Sequence, residues 1–224
     1  MESRSRNYSG YTAHSANRVA GVAGAATEEE DGIMDLGLLA LRLVVGLTLA
    51  THGAQKLFGW FGGYGLAGTG GFLEQLGFRP GKRAALMAGL SETVGGVLLA
   101  LGAATPLAAA LIVGVMLVAT VSVHWSKGFF NHNGGYEYPL VLATAAVSTV
   151  FTGPGRLSVD AWLGHEFSGV AWALASLTVG VVGGALELSG RHREPVVQAD
   201  RRRRNFGRTS RARARGPSLI PSLR

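Results

Sequence analysis

The chain has 224 residues, of which 47% are apolar, and a net charge of +7. Most apolar residues fall in a few uninterrupted blocks, which indicates that the fold is built for a bilayer rather than for water. The absence of cysteine excludes disulfides, thiolate metal sites, iron–sulfur clusters and CxxC redox relays. The positive charge is concentrated in residues 191–224, which carry 11 arginines against two acidic residues, whereas the rest has 10 bases and 12 acids.

The first 32 residues are small and polar, and they end in an acidic run at Glu28–Asp31. They lack the basic start, the apolar core and the cleavage site of a signal peptide. Their composition is typical of disorder, so we expect residues 1–32 to form a disordered N-terminal segment.

Five apolar stretches follow as candidates for membrane-spanning helices. They cover residues 36–58, 84–101, 106–125, 139–151 and 170–188. A hydrocarbon core of ~30 Å needs about 20 helical residues, with ~17 tolerated, so the fourth stretch is short and must borrow residues 136–138. Helices are expected because an open strand edge in lipid leaves backbone groups unsatisfied. We predict an all-α integral membrane protein with five spans and a disordered arginine-rich tail over 190–224.

Basic residues between the spans predict the orientation of the chain. Lys56, Arg79, Lys82 and Arg83 follow the first span, Lys127 follows the third, and the arginine tail follows the fifth. With five spans these segments share one side, which the positive-inside rule makes cytoplasmic. Two short helices are expected outside the spans, one around residues 72–76 and one after Ser158, whose hydroxyl can cap it.

Ionisable and amide side chains gather at the same end of the predicted bundle, where the first and third spans end and the fourth begins. Two further charged residues lie deeper in the first two spans. Together, the candidates for a polar pocket are Arg42, His52, Gln55, Lys56, Glu92, His124, His132 and Glu137. We assign no catalytic residue and no metal site among them, because the chain has no catalytic motif of its own.

Glu92 lies near the middle of the second span, where a carboxylate costs ~2.5–3.5 kcal/mol even on the gentler insertion scale. Arg42 is the deep base available to it, so we predict an Arg42–Glu92 ion pair inside the bundle. Two alternatives stay open: Arg42 can snorkel to the outer interface, and Glu92 can be a protonated carboxyl bonded to a backbone carbonyl. Lys56, His52 and His124 can equally be interfacial residues without a function.

Several motifs resemble the DoxX family of membrane proteins. "LRLVVGLTLATHGAQKLFGWFGG" is similar to the first helix of the family, "GTGGFLEQLGF" to the following loop and "LSETVGGVLLALG" to the second helix. "GFFNHNGGYEYPLVL" is similar to the entry to the fourth helix, and "GPGRLSVD" to the segment just after it. The resemblance covers residues 36 to 163.

The resemblance implies a four-helix membrane bundle related to the small subunit of thiosulfate:quinone oxidoreductases, of bacterial origin and associated with redox or oxidative-stress systems. The motif residues that it carries over are Arg42, His52, Gly53, Lys56, Glu92, Gly95, Gly96, Glu137 and a turn of Gly153, Gly155, Ser158 and Asp160. We expect a DoxX-like domain over 33–165 and an additional transmembrane helix over 169–189. The expected location is the bacterial plasma (inner) membrane, with the C-terminal tail in the cytoplasm.

Family membership alone does not establish an activity, and three functions remain open. The first is an auxiliary or anchoring subunit of a membrane redox complex, with partner redox enzymes and quinone as a ligand. A quinone headgroup suits an apolar slot with a few donors near the interface, such as His52, Lys56 and His124. A b-type haem between the two histidines is a weaker alternative.

The second function is a small proton or solute transporter that uses Arg42, Glu92 and Glu137, although the sequence has no internal repeat. The third is a non-catalytic scaffold in the lipid bilayer, whose arginine tail contacts anionic lipids. Nucleic-acid binding by the tail is disfavoured, because the single Phe206 gives it little capacity to stack on bases.

Overall fold

The computed structural model describes residues 5–192, and side-chain surroundings are described from residue 28 onward, apart from Glu29. This part of the chain contains seven α-helices and no strand. They are α1 (Ser5–Phe58), α2 (Gly65–Gln75), α3 (Gly81–Leu101), α4 (Thr105–Ala119), α5 (Glu137–Thr152), α6 (Val159–Trp162) and α7 (Val170–Ser189). The all-α class is confirmed, whereas the predicted arginine-rich tail lies, from residue 193 on, outside the described residues.

Within the described residues, four helices are long and apolar enough to cross a membrane: Glu30–Phe58 within α1, then α3, α4 with its extension to Lys127, and α7. The extension of α4 is a five-residue π-helix, Thr120–His124, followed by a 3-10 turn. With 16 residues, α5 is only ~24 Å long, shorter than the ~30 Å hydrocarbon core. The predicted set of five spans is therefore not confirmed, since the described residues supply four candidates, of which α7 is one.

The first helix is longer than the sequence predicted. It begins at Ser5, so the structure places residues 5–32 in a helix where the composition suggested disorder. Before Pro80 the sequence contains no proline, which is the residue that most strongly ends a helix. The alanines, arginines and glutamates of this segment are good helix formers, so the helix can continue outward from the membrane span.

Helices α1 and α3 pack against each other through glycine backbones. A Cβ atom on Gly46 would collide with the carbonyl oxygen of Gly96, and one on Gly53 would collide with the Thr93 side chain and the Gly89 carbonyl. Small residues let helices approach closely in lipid, where no hydrophobic force drives them together. These contacts fix the register between the two antiparallel helices.

The centre of the bundle is an apolar layer between two polar ends. Val45, Leu49, Leu99, Ile112 and Val150 come from four different helices, and each is at most 8% exposed. On one side lies the Lys56 end, where α1 ends and α3 and α5 begin. On the other lies the Arg42 end, where α3 ends and α4 begins.

The hydrogen bonds at the two ends of α7 show the direction in which this helix runs. The Gly169 N–H donates to the carbonyl oxygen of Val150, near the end of α5, and the His192 N–H donates to that of Gly77, just before α3. Helix α7 therefore begins at the Arg42 end and finishes at the Lys56 end.

Candidate functional site

An ion pair between a partly buried lysine and a buried carboxylate joins α1 and α3 at the Lys56 end. The Lys56 Nζ donates to Glu92 Oε2, and Glu92 is only 4% exposed. Because Gly53 packs against Thr93, Glu92 lies about one helical turn below Lys56, and the lysine side chain points toward the N-terminus of its own helix. The cation thereby compensates a carboxylate that lipid would otherwise make costly.

The predicted Arg42–Glu92 ion pair is wrong, although both side chains are buried and face the bundle. Gly102, ten residues after Glu92, is the α3-end residue that packs against the Arg42 guanidinium. Ten helical residues correspond to about 15 Å, so Arg42 and Glu92 lie at different depths. Lys56 reaches the carboxylate instead, because its long side chain extends inward from the end of α1.

His52 and Tyr138 are the neighbours of this ion pair. Their ring centroids are 6.1 Å apart, and both side chains lie within electrostatic range of the Glu92 carboxylate. The His52 Nδ1 lies 2.9 Å from the carbonyl oxygen of Thr48. A carbonyl only accepts, so Nδ1 is the nitrogen that carries the proton in this arrangement. Sequence reasoning missed Tyr138, which carries no signal beyond that of an interfacial aromatic residue.

A cavity of about 680 Å³ adjoins the ion pair, and we call it the α1–α2 cavity because it lies between the end of α1 and α2. Its lining includes Gln55, Lys56, Tyr64, Phe72 and Gln75. The Gln55 amide Nε2 donates to the carbonyl oxygen of Phe61 at 3.1 Å, which fixes its orientation. Lys56 therefore borders both the cavity and the buried carboxylate.

The remaining predicted residues lie in and around the loop that precedes α5. His124 Nδ1 lies 2.6 Å from the carbonyl oxygen of Gly134, and the carboxylate of Glu137 accepts the Asn131 N–H at 2.9 Å. His132 is exposed on the same loop. The structure places these three residues at the Lys56 end, but His124 and Glu137 close the loop, and none of the three lines the α1–α2 cavity.

Arg42 belongs to a second polar cluster at the Arg42 end. The side chain is fully buried, and its Nη2 donates to the carbonyl oxygen of Leu157 at 2.5 Å. Asp160 and Asp35 lie within electrostatic range of the guanidinium. The alternative in which Arg42 snorkels to the interface is therefore wrong, because the segment 153–160 covers it.

Asp160 caps the first turn of α4. It is 1% exposed, and its carboxylate accepts the Ala104 N–H at 2.7 Å, the Thr105 N–H at 2.9 Å and the Thr105 hydroxyl at 2.6 Å. The first N–H groups of a helix have no partner within the helix, and a carboxylate also suits the positive end of the helix dipole. The turn after α5 is thus tied to the start of α4.

A further ion pair holds the same turn against α1. Asp35 Oδ2 accepts from Arg156 Nε at 2.7 Å, and Asp35 Oδ1 accepts the Arg156 backbone N–H at 2.8 Å. The side-chain hydrogen bond to Asp35 raises the pKa of the exposed Arg156 guanidinium above its usual value. Ser158 accepts the Ala161 N–H at 3.2 Å, which confirms the predicted cap of a short helix.

The Lys56 end offers hydrogen-bond donors at a site where the charges of Lys56 and Glu92 compensate each other. Lys56 has three N–H donors, of which Glu92 takes one. The other donors can serve an oxygen atom in the α1–α2 cavity while Glu92 keeps the site neutral. In the described ranges no three His, Cys, Asp or Glu side chains come together as metal ligands.

Comparison with known proteins agrees with this membrane architecture. Residues 37–125 match the family model DoxX. The chain is also 28% identical over 126 residues to a protein of Bacillus subtilis (strain 168) named "Putative oxidoreductase CatD". That alignment covers 56% of this chain and 86% of the relative. No solved structure matches the chain at a significant level.

Proposed function

We propose that this chain, whose residues 37–125 match the family model DoxX, is an auxiliary membrane subunit of a redox system that binds a quinone at the Lys56 end. The observation that carries the proposal is the α1–α2 cavity of about 680 Å³ beside the Lys56–Glu92 ion pair. The relative in Bacillus subtilis is named as an oxidoreductase, which supports a redox context. Electron transfer itself belongs to a partner enzyme in this proposal.

The lining of the α1–α2 cavity matches a quinone headgroup in chemistry and in size. Such a headgroup is a flat ring with carbonyl oxygens that accept hydrogen bonds, and small-molecule sites commonly enclose about 300–1,000 Å³. Lys56 and Gln75 supply donors for the oxygens, while Tyr64 and Phe72 supply aromatic faces for the ring. Glu92 balances the charge of Lys56, so a neutral ligand meets no net charge.

We assign the protein to the bacterial plasma (inner) membrane, with the Lys56 end at the cytoplasmic face. Lys56, Lys82, Arg83 and Lys127 all lie at this end, which agrees with the positive-inside rule. In this arrangement α5 is a short fifth crossing, since it begins at the Lys56 end and finishes at the Arg42 end. The tail after α7 then lies in the cytoplasm, where its arginines meet anionic lipids, and a role in oxidative stress would follow from the redox partner.

The test is a binding titration with a short-chain quinone analogue and the purified full chain. Gly71 lines the α1–α2 cavity, and a Cβ atom there meets nothing within 4 Å, so Gly71→Leu fills the cavity without touching the ion pair. We expect binding at least ~10-fold weaker, equivalent to about 1.4 kcal/mol. Gly37→Leu is the matched control, because its Cβ also meets nothing and it lies far along α1. The proposal fails if the wild type does not bind, or if Gly71→Leu binds equally well.

A further inference from the structure

A second cavity lies between α3, α4 and α7, and we call it the α4–α7 groove. Its volume is about 260 Å³. On α4 its lining runs from Leu107 to Val118, which is about 16 Å along the helix axis. Among the described residues that line it, Ser91 and Glu187 are the only ones with polar side chains. The groove is therefore long, narrow and apolar, with a carboxylate near one end.

Glycines on α7 explain why the groove exists. Gly180 and Gly184 bring α7 close to α4, since a Cβ atom on Gly184 would lie 2.9 Å from the carbonyl oxygen of Gly114. Gly183 is next to them and lines the groove, yet a Cβ atom there meets nothing within 4 Å. Gly180 and Gly184 thus hold the two helices together, while the absence of a side chain on Gly183 leaves space beside that contact.

The groove opens to the surroundings of three candidate membrane spans. Met87, Leu107 and Val179 line it, and each is more than 40% exposed. All three helices are apolar enough to cross a bilayer, so the medium around the groove is hydrocarbon. An open apolar groove in that medium is filled by a hydrocarbon chain rather than by water, which needs polar partners.

The polar end of the groove lies at the Lys56 end of the bundle, because α7 finishes there. Glu187 is in the last turn of α7. Arg191 follows one turn later, and its guanidinium lies 5.7 Å from the centre of the Phe78 ring, which also lines the groove. On α3, Arg83 lies four residues before Met87 and so shares its helix face. The Glu187 carboxylate and both basic side chains therefore lie at the same end of the groove.

We propose that the α4–α7 groove binds one acyl chain of a zwitterionic phospholipid with an ammonium headgroup, such as phosphatidylethanolamine. The ammonium group lies at the Glu187 carboxylate and the phosphate at Arg83. Phosphatidylglycerol would place its phosphate at Arg83 in the same way, but it would bring a neutral glycerol instead of a cation to Glu187. This inference stands apart from quinone binding, since the two cavities share no lining residue: Phe72 lines one and Leu73 lines the other, on different faces of α2.

The first experiment uses phosphatidylethanolamine with a photoactivatable group in one acyl chain, added to the full chain in liposomes. After irradiation, peptide mapping by mass spectrometry locates the attached lipid. We expect attachment to concentrate on α4 and α7, and Gly183→Leu, which fills the groove, to lower it several-fold. Gly71→Leu is the matched control and leaves the attachment unchanged. Labelling spread over all exposed helices, or equal labelling of Gly183→Leu, means ordinary lipid contact and overturns the proposal.

The second experiment tests the headgroup by competition with unlabelled lipids. Phosphatidylethanolamine is expected to displace the probe several-fold better than phosphatidylglycerol does. Glu187→Gln keeps the size of the side chain but removes its charge, so it should abolish that preference while the probe still attaches to α4 and α7. Equal competition by both lipids against the wild type, or an unchanged preference in Glu187→Gln, overturns the headgroup assignment. Because Gly71→Leu weakens quinone binding and Gly183→Leu does not, failure of either proposal is distinguishable from failure of the other.

Discussion

Replacing Asp160 by alanine is expected to destabilise the folded protein by about 2–6 kcal/mol. The carboxylate is 1% exposed and accepts the backbone N–H groups of Ala104 and Thr105 as well as the Thr105 hydroxyl. A buried donor that loses its acceptor costs ~1–3 kcal/mol, so the two N–H groups alone account for this range. The hydroxyl is left out of the sum, because it can rotate to another acceptor.

The assay is reversible unfolding by SDS in mixed micelles, followed by tryptophan fluorescence and circular dichroism. Asp160→Asn should lose less stability than Asp160→Ala, because the asparagine amide oxygen still accepts one N–H while its NH₂ group faces the other donor. Ser158→Ala is the matched control from the same turn. It removes one cap from a four-residue helix, for which ~0.5–2 kcal/mol is expected.

Two outcomes would refute the reasoning about Asp160. If Asp160→Ala loses no more stability than Ser158→Ala, the carboxylate does not hold the start of α4. If Asp160→Asn is as stable as the wild type, neither the second acceptor oxygen nor the charge beside Arg42 matters for the fold.

Two further predictions concern the contact between α1 and α3. Lys56→Met should cost ~3–5 kcal/mol in SDS unfolding because it leaves Glu92 buried without a cation. Glu92→Gln should lower the free energy of unfolding by less, since the Lys56 side chain is 28% exposed and can turn toward water. If the double variant loses as much stability as the two single variants together, the two residues do not interact. Gly96→Val should push α1 away and reduce the yield of monodisperse protein in gel filtration, because its Cβ collides with the Gly46 carbonyl. Gly37→Val, whose Cβ meets nothing, is the control, and equal behaviour of both would contradict the close approach.

The positions of the long helices could be predicted because lipid imposes a simple rule on the sequence. Apolar runs at 84–101, 106–125 and 170–188 correspond to α3, to α4 with its extension, and to α7, with small differences at their ends. The rule counts residues against the thickness of the hydrocarbon core, and it fails where a helix is shorter than that core, as α5 is. It also says nothing about residues 5–32, whose helix extends beyond the apolar run.

The partner of Glu92 could not be predicted, because an ion pair between two helices depends on their register. The contact of Gly46 with Gly96 sets that register, and the spacing of residues within either helix does not reveal it. The apolar boundaries place Lys56 at the interface, but they carry no information about how far its side chain reaches into the bundle.

The residue that caps α4 could not be predicted from the sequence, for a different reason. Pro106 is a local signal for a helix start, but the acceptor for the first N–H groups is Asp160, which lies 55 residues after Thr105. A side chain that distant carries no periodic relation to the helix it caps. Similarity of the segment to a family motif pointed to its importance, and the structure supplies the physical role.

The bond between Arg42 and Leu157 has a consequence for how the molecule is made, because the two residues are 115 positions apart. A ribosome adds ~5–20 residues per second, so the guanidinium waits on the order of 10 s for the carbonyl that receives it. Until then Arg42 lacks the acceptor that the folded protein gives to its Nη2. The Arg42 end of the bundle can therefore be completed only after the turn that follows α5 has been synthesised.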